Sequence, residues 1–120
     1  MTKSSAMSLI YKIVPAALWR QAEREGTFRG SEIDLRDGFI HFSTAAQAAE
    51  TAAKHFAGAY NLLLVVVEAD GLGAALKWEP SRGGALFPHL YADLPLAAVR
   101  NVSPLSLDAD GRHVFPAEMI

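Results

Sequence analysis

The residues best suited to chemistry lie in three short segments of the chain. His41 lies in GFIHFST, Glu79 in LKWEP, and His89 with Tyr91 in FPHLY. Imidazoles, carboxylates and phenols are side chains that act as general acids and bases in proteins. Because alternate residues of a strand share one face, His89 and Tyr91 are predicted to lie side by side. The sequence therefore predicts an acid–base cluster in which His41, Glu79 and His89 are the catalytic candidates.

Each of these residues also has a purely structural interpretation. His41 fits a buried histidine that hydrogen-bonds to the backbone, and its spacing alone favours that role. Glu79 fits an exposed carboxylate on a strand face, although desolvation beside Trp78 would raise its pKa. His89 and Tyr91 fit the amphipathic side chains of a half-buried sheet edge equally well. The choice between a site and a sheet surface depends on whether the fold brings these side chains together.

A metal site is a third interpretation of the same residues. His41, Glu79 and His89 form a set of two histidines and one carboxylate, which is typical of some metal-dependent enzymes. Their separation in the sequence is not that of a local metal motif, so only the fold could assemble them. A metal-dependent hydrolase is therefore one hypothesis, and no residue is assigned as a metal ligand from the sequence alone.

The residues after His41 predict a capped helix whose first turn faces the same region. Thr44 and Gln47 have the spacing of a capping box, and an alanine-rich segment follows them. Helix N-termini present free N–H groups and favour anions. Ser43 and Thr44 are therefore predicted ligand contacts, while their structural interpretation is that they only cap the helix.

Apolar periodicity and turn residues predict the elements that must position these side chains. The predicted strands are 9–14, 38–42, 61–69, 75–79 and 98–107. The predicted helices lie near 15–26 and 45–57, with Pro15 in the first turn and Gly26 at the end of the first helix. Both helices come early and the second half is rich in strands. This order predicts an α+β fold, in which two helices pack on a mostly antiparallel or mixed sheet.

Three further segments are predicted to lie outside regular central structure. Residues 27–37 are predicted to form a polar loop in which Asp34 and Asp37 serve only solubility. Residues 86–95 are predicted to be an edge strand or extended loop, because Pro88 cannot donate a ladder hydrogen bond. The segment DADG near the end of the chain predicts a hairpin turn.

The composition indicates one folded domain over residues 9–120, preceded by a flexible leader over residues 1–8. The 120 residues are 51% hydrophobic and 20% charged, with a net charge of −2, which is typical of globular proteins. The absence of cysteine excludes disulfides and thiolate metal sites. Basic residues are scattered and no apolar run is long enough to span a bilayer. A cytoplasmic protein that binds neither nucleic acid nor membrane is therefore expected, and the sequence leaves its oligomeric state undefined.

The segments YKI, GFIHFST, LKWEPS and FPHLYADLPL together resemble a small bacterial family known as domain of unknown function 952. The resemblance extends over about residues 9–116. It implies a fold similar to that of ADP-ribosyltransferases. On that resemblance, His41 stands where a nicotinamide-stacking tyrosine would be, Lys12 where a ribose-binding histidine would be, and Glu79 for the catalytic glutamate. NAD is thus a cofactor expectation that comes from the resemblance alone.

Two main classes of function follow from these observations. The first is a transferase or hydrolase that acts on a nucleotide-like or phosphorylated small molecule, with His41 as the polar partner and Glu79 as the base. The second is a non-catalytic module that binds a small anion or a protein segment. Both use one cleft on which His41, His89 and Tyr91 converge. The predicted ligand contacts in this cleft are Lys12, Ser43, Thr44 and Tyr91.

Overall fold

The computed structural model describes residues 8–116, and most of the predicted leader, residues 1–7, lies outside them. The strands are β1 (Leu9–Pro15), β2 (Thr27–Phe28), β3 (Ile40–His41), β4 (Leu62–Glu68), β5 (Leu76–Pro80), β6 (Leu86–Leu90), β7 (Leu94–Pro95) and β8 (Val99–Leu105). The α-helices are α1 (Ala16–Glu25), α2 (Glu32–Asp37) and α3 (Ala45–His55). Short 3₁₀ segments occupy Ala69–Ala75, Arg82–Gly84 and Leu96–Ala98. The α+β class is confirmed.

The strands form three small sheets rather than the single sheet that the sequence predicts. Their orders are β1-β4-β8, β3-β6-β5 and β2-β7, and every strand pair in the described residues is antiparallel. A bridge between Tyr11 and Ser43 joins β1 to the chain that leaves β3. This bridge brings the first sheet against the sheet that contains His41 and His89.

The apolar run LLLVVVE forms the central strand of the first sheet. β4 lies between β1 and β8, and most of its residues are buried on both faces, as predicted. The neighbouring strand β1 alternates between two apolar clusters. Ile10 and Val14 pack in the larger cluster, whereas Tyr11 and Ile13 pack against α3. By this alternation Lys12 lies on the same side of β1 as Ile10 and Val14, which places a cation toward the larger core.

The two helices predicted from the sequence are confirmed to within about two residues at each end. Pro15 is the last residue of β1 and immediately precedes α1, so it is not within the first helical turn. Gly26 ends α1 in the left-handed conformation. At α3 the Thr44 hydroxyl accepts from the Gln47 N–H and the Gln47 side chain accepts from the Thr44 N–H. This reciprocal pair confirms the predicted capping box.

The prediction of a polar loop over residues 27–37 is wrong. The segment contains β2 and the six-residue helix α2, which begins after Ser31 and ends at Gly38. A second capping box starts this helix, formed by Ser31 and Asp34. So short a helix shows almost no apolar periodicity, which is why the pattern concealed it.

The prediction that residues 86–95 form an edge strand is also wrong. β6 is the central strand of its sheet, between β3 and β5. The carbonyl of Pro88 accepts from the N–H of Phe42, just beyond the two residues of β3. In an antiparallel strand the N and O atoms of one residue point to the same side. The missing N–H of Pro88 therefore faces the point where β3 ends, so the proline costs the sheet little.

The DADG segment forms a turn near the end of the described residues. Leu107 and His113 form an antiparallel bridge across the DADG segment, which confirms a hairpin turn there. No helix within residues 8–116 combines the length and apolarity needed to span a bilayer.

Candidate functional site

Asp34 is a buried carboxylate at the centre of a polar cluster. Only 1% of its side chain is exposed. Its Oδ2 atom lies 3.0 Å from Lys12 Nζ and accepts from the Ser31 N–H at 2.8 Å. Its Oδ1 atom is 2.6 Å from His41 Nδ1 and accepts from the His41 N–H at 3.1 Å. Both carboxylate oxygens are thus fully engaged by the surrounding chain.

The local sequence explains how a carboxylate comes to be held in this position. Asp34 is the third residue of α2, where its side chain completes the capping box by accepting from Ser31. Gly30 passes so close that an added Cβ would lie 2.8 Å from Asp34 Cβ, and its φ is +121°. Gly38 ends α2 in the left-handed conformation and turns the chain into β3. These two glycines let the backbone wrap around one side chain.

The charges in this cluster shift one another's protonation. Burial alone would raise the pKa of Asp34, but the hydrogen bond from His41 and the charge of Lys12 hold it far below its usual range. Burial lowers the pKa of Lys12, and the Asp34 carboxylate only partly offsets that effect. Lys12 Nζ also donates to the His41 carbonyl at 2.9 Å. The ion pair therefore fixes β1, α2 and β3 to one another from inside the protein.

His41 lies between two carboxylates. Its Nδ1 is 2.6 Å from Asp34 Oδ1, and its Nε2 is 3.1 Å from Asp37 Oδ2. Carboxylates accept hydrogen bonds, so the two contacts can both be hydrogen bonds only when each ring nitrogen carries a proton. About a third of the side chain, 32%, is exposed. The structural interpretation, a buried histidine whose ring bonds to the backbone, therefore does not describe His41. Its side chain is partly exposed, and its ring contacts two carboxylates.

A second cluster lies on the neighbouring strands. His89 Nδ1 and the Tyr91 hydroxyl both lie 2.7 Å from Glu79 Oε1. The hydrogen bond from His89, and then that from Tyr91, lowers the pKa of Glu79, so the expectation of a raised value is wrong. The same contact raises the pKa of Tyr91. The physical reason is that these two hydrogen bonds outweigh the raising effect of burial, while Trp78 points to the opposite face, where it pairs with Pro88.

Sheet register brings the two clusters onto one face. His41 pairs directly with His89 across β3 and β6, and Lys77 pairs with His89 across β6 and β5. Directly opposite residues of an antiparallel pair share a face. The imidazole centroids of His41 and His89 are 5.5 Å apart. His41, His89 and Tyr91 therefore lie together on one face, as the sequence predicts.

Phe39 joins the two clusters. Its ring stacks on His89 with a centroid distance of 4.2 Å and an interplanar angle of 26°. It also contacts the rings of His41 at 4.5 Å and Tyr91 at 5.1 Å. Phe39 thus covers one face of the His89 ring. We refer to Asp34, Asp37, Phe39, His41, Glu79, His89 and Tyr91 together as the histidine face.

The other predicted ligand contacts lie outside the open part of this face. Lys12 is buried behind it, with its ammonium engaged by Asp34 and the His41 carbonyl. The buried Ser43 hydroxyl bonds to Thr51, and the Thr44 hydroxyl caps α3. All three stabilise the frame around the histidine face in this structure.

Sequence analysis missed three members of the histidine face: Asp34, Asp37 and Phe39. The Ser31–Asp34 capping-box spacing was the available signal for Asp34, because it marks the start of a helix with an inward carboxylate. Phe39 lies two residues before His41 and shares its strand face. Asp37 could be recognised only once α2 was known, because it faces His41 from the end of that helix.

The metal hypothesis gains no support from the geometry. Across the described residues, no group of three or more histidine, aspartate or glutamate side chains is arranged to hold a metal ion. Glu79 and His89 instead hydrogen-bond to each other, while His41 is turned to Asp34 and Asp37.

Known structures and families place the chain among its relatives. The crystal structure of protein CC0527 from Caulobacter crescentus is 53% identical, with a TM-score of 0.89, and the match covers 93% of this chain and 98% of that one. The solution NMR structure of CC0527 is 57% identical, with a TM-score of 0.79, covering 87% and 90%. No curated protein matches. A family model described as protein of unknown function (DUF952) matches residues 13–102, which is most of the chain. The chain therefore belongs to the DUF952 family.

Proposed function

We propose that the histidine face is the active site of a hydrolase or transferase that acts by general acid–base catalysis on a nucleotide-like or phosphorylated small molecule. The supporting observation is the pair of imidazoles, 5.5 Å apart, each hydrogen-bonded to a carboxylate. Paired histidines with carboxylate partners suit reactions in which one proton is removed while another is supplied.

The partners of each ring nitrogen suggest separate roles. With Nδ1–H donated to Glu79, a neutral His89 has its lone pair on Nε2 and can accept a proton there. His89 Nε2 has no hydrogen-bond partner in the described residues. Among the described residues, the side-chain polar atoms that lack both a partner and solvent contact are Trp19 Nε1 and Ser103 Oγ. His89 Nε2 is not one of them, so it keeps contact with solvent. His89 is therefore the proposed base, and Glu79 is the group that orients it.

His41 is the proposed acid. Its two ring nitrogens face Asp34 and Asp37, and the contact with Asp37 is the longer and more exposed one. In hydrolysis, His89 would take a proton from the attacking water as its oxygen bonds to the substrate, and His41 would give a proton to the leaving oxygen as its bond breaks. In transfer, an acceptor hydroxyl replaces the water. Asp34 acts through His41 as a positioning residue.

A more specific version of this proposal uses the resemblance to ADP-ribosyltransferases. NAD is then the expected ligand, and Glu79 would accept a hydrogen bond from a ribose hydroxyl. Support comes from the lowered pKa of Glu79, which keeps it ionised and able to accept. Glu79 is already bonded to His89 and Tyr91, so it can serve this role only through its remaining lone pairs.

The test combines a binding screen with product analysis. NAD, ADP-ribose, nucleoside phosphates and sugar phosphates are screened by thermal shift, and every compound that raises the unfolding midpoint is then analysed for turnover by chromatography. His41→Gln and His89→Gln should each abolish turnover. His55→Gln is the matched control, because His55 is exposed on α3. Turnover that survives both site substitutions would contradict the proposal.

A binding module without catalysis is the second candidate. The observation that favours it is that both nitrogens of His41 already have carboxylate partners. An imidazole held in this way is fixed in orientation, which suits a binding contact. Binding that is lost in His41→Gln, with no product formed by the unsubstituted protein, would select this second candidate.

A further inference from the structure

A cavity of about 250 Å³ adjoins the histidine face. Three members of that face, Asp34, Phe39 and Tyr91, line it. The cavity lies between the start of α2, the turn into β3 and the chain that leaves β6. The other lining residues are Arg29, Leu35, Gly38, Ile40, Leu90, Ala92 and Asp93. A molecule bound here would therefore contact Phe39 and Tyr91, whose rings adjoin those of His41 and His89.

Arg29 is the cation available in this cavity. It is exposed, and no hydrogen bond or ion pair engages its guanidinium within the described residues. The Asp34 carboxylate is already satisfied by Lys12, Ser31 and His41, so it offers little to a ligand. A free guanidinium in a recess matches phosphate and carboxylate groups, which it binds through two parallel hydrogen bonds.

The other lining residues and the volume of the cavity limit which molecules it can hold. Leu35, Ile40 and Leu90 are apolar, and Phe39 and Tyr91 supply aromatic surface. Ligand pockets for drug-sized molecules usually have volumes of about 300–1,000 Å³, so this cavity suits a single ring with one anionic group.

We propose that this cavity binds the phosphate-bearing sugar ring of the substrate, with Arg29 as the phosphate-binding residue. The inference rests on the proposed function, because the rest of such a substrate would lie across His41 and His89. Arg29 then selects phosphorylated substrates, and Phe39 and Tyr91 position the ring beside the reacting groups.

Ribose 5-phosphate is the probe for this proposal, with ribose and inorganic phosphate as its two halves. In ¹H–¹⁵N spectra of the full chain, ribose 5-phosphate should shift the amide signals of Gly38 and Ala92. Arg29→Gln should weaken its binding by about tenfold or more, since a charge-assisted hydrogen bond is lost. Arg100→Gln removes the same charge from β8 and should leave binding unchanged, and Asp93→Asn should leave it equal or tighter.

The outcomes separate this inference from the proposed function. Ribose 5-phosphate that binds equally to the Arg29→Gln protein, or that leaves the Gly38 and Ala92 signals unmoved, would overturn the inference. Inorganic phosphate binding as tightly as ribose 5-phosphate would overturn the role of the ring. Arg29-dependent binding without turnover of any screened compound would support the cavity and contradict the catalytic role of the histidine face. Turnover that does not depend on Arg29 would support the catalytic role of the histidine face and contradict the role of the cavity.

Discussion

The two histidine–carboxylate pairs are built in opposite ways. In the Asp34–His41 pair the carboxylate is buried, at 1% exposure, and the imidazole is 32% exposed. In the Glu79–His89 pair the imidazole is buried, at 7% exposure, and the carboxylate is 35% exposed. The hydrogen-bond lengths are nearly equal, at 2.6 and 2.7 Å. The two pairs therefore differ in which partner is buried and hardly at all in hydrogen-bond length.

The difference shows which pair supports the fold and which one can respond to solvent. Asp34 neutralises a buried lysine, and losing it would leave an uncompensated charge in the core. Glu79 is near water, which can replace its protein partners at little cost. We therefore expect stability to depend on Asp34, and the tuning of protonation at the surface to depend on Glu79.

The largest expected effect is that of Asp34→Ala on stability. Removing one partner of a buried ion pair typically costs about 3–5 kcal/mol, because the other charge remains buried. Denaturant unfolding, followed by circular dichroism, measures the change in the free energy of unfolding. Asp37→Ala is the matched control, since it removes the more exposed contact of the same imidazole and should cost at most about 1 kcal/mol.

Combining Asp34→Ala with Lys12→Met should recover part of the loss, because the buried ammonium is then absent. Equal losses in Asp34→Ala and Asp37→Ala would show that burial does not distinguish the two contacts of His41. The contrast between the two histidine–carboxylate pairs would then lose its basis.

The stability that Asp34 provides should depend on pH in a predictable direction. Its pKa is lower in the folded state than the ordinary value of 3.8, so the folded protein binds fewer protons there than the unfolded chain. This contribution is complete above the ordinary pKa and is lost as the pH falls through that value toward the folded one. The difference in unfolding free energy between the unsubstituted protein and Asp34→Ala should therefore stay constant down to about pH 5 and narrow below it. A difference that widens on acidification would contradict this linkage.

The extended and alanine-rich elements were predictable because each has a long local pattern. β4 is one apolar run, and α3 has both a capping box and a long alanine-rich segment. The helix α2 was not, because six residues contain less than two turns of periodic pattern. The central place of β6 was not predictable from Pro88, because the tolerated position depends on where a different strand, β3, ends.

For the site, residue type and strand parity were enough to predict that His89 and Tyr91 share a face. The pairing of Glu79 with His89 required the register of β5 on β6, which no local pattern specifies. Asp34 was misjudged because a charged residue in a polar segment is usually exposed. Its partner Lys12 lies 22 residues earlier in β1. Such a long-range ion pair becomes visible only when the sheet brings the two segments together.

The cap of α3 gives a reference value for the stability changes at the two histidine–carboxylate pairs, because Thr44 belongs to neither pair. Thr44→Ala removes the hydroxyl that accepts from Gln47 and should cost about 1 kcal/mol. Thr44→Ser retains the acceptor and is the matched control. Thermal or denaturant unfolding should therefore rank Asp34→Ala well above Thr44→Ala. Identical midpoints for Thr44→Ala and Thr44→Ser would mean that the hydroxyl does not contribute to the cap.

The smallest expected change in stability comes from Tyr91→Phe, and its effect should appear in protonation instead. The substitution removes one of the two hydrogen bonds that hold the pKa of Glu79 below its usual value, so that pKa should rise. The exposed position of Tyr91 means that water can take the place of the lost donor, and the unfolding midpoint should hardly move. The measurement is the pH titration of the Glu79 side-chain carbonyl signal in ¹³C NMR spectra.

His89→Gln should raise the pKa of Glu79 further than Tyr91→Phe does, because the hydrogen bond from His89 is the larger cause of the lowered value. Tyr60→Phe is the matched control, since Tyr60 is an exposed tyrosine outside the histidine face. It should leave the Glu79 titration unchanged. If Tyr91→Phe lowers the unfolding free energy as much as Asp34→Ala does, the exposed pair supports the fold as strongly as the buried one. An unchanged Glu79 titration in both site variants would instead show that neither donor sets its charge, and that His89 is not oriented by Glu79 in solution.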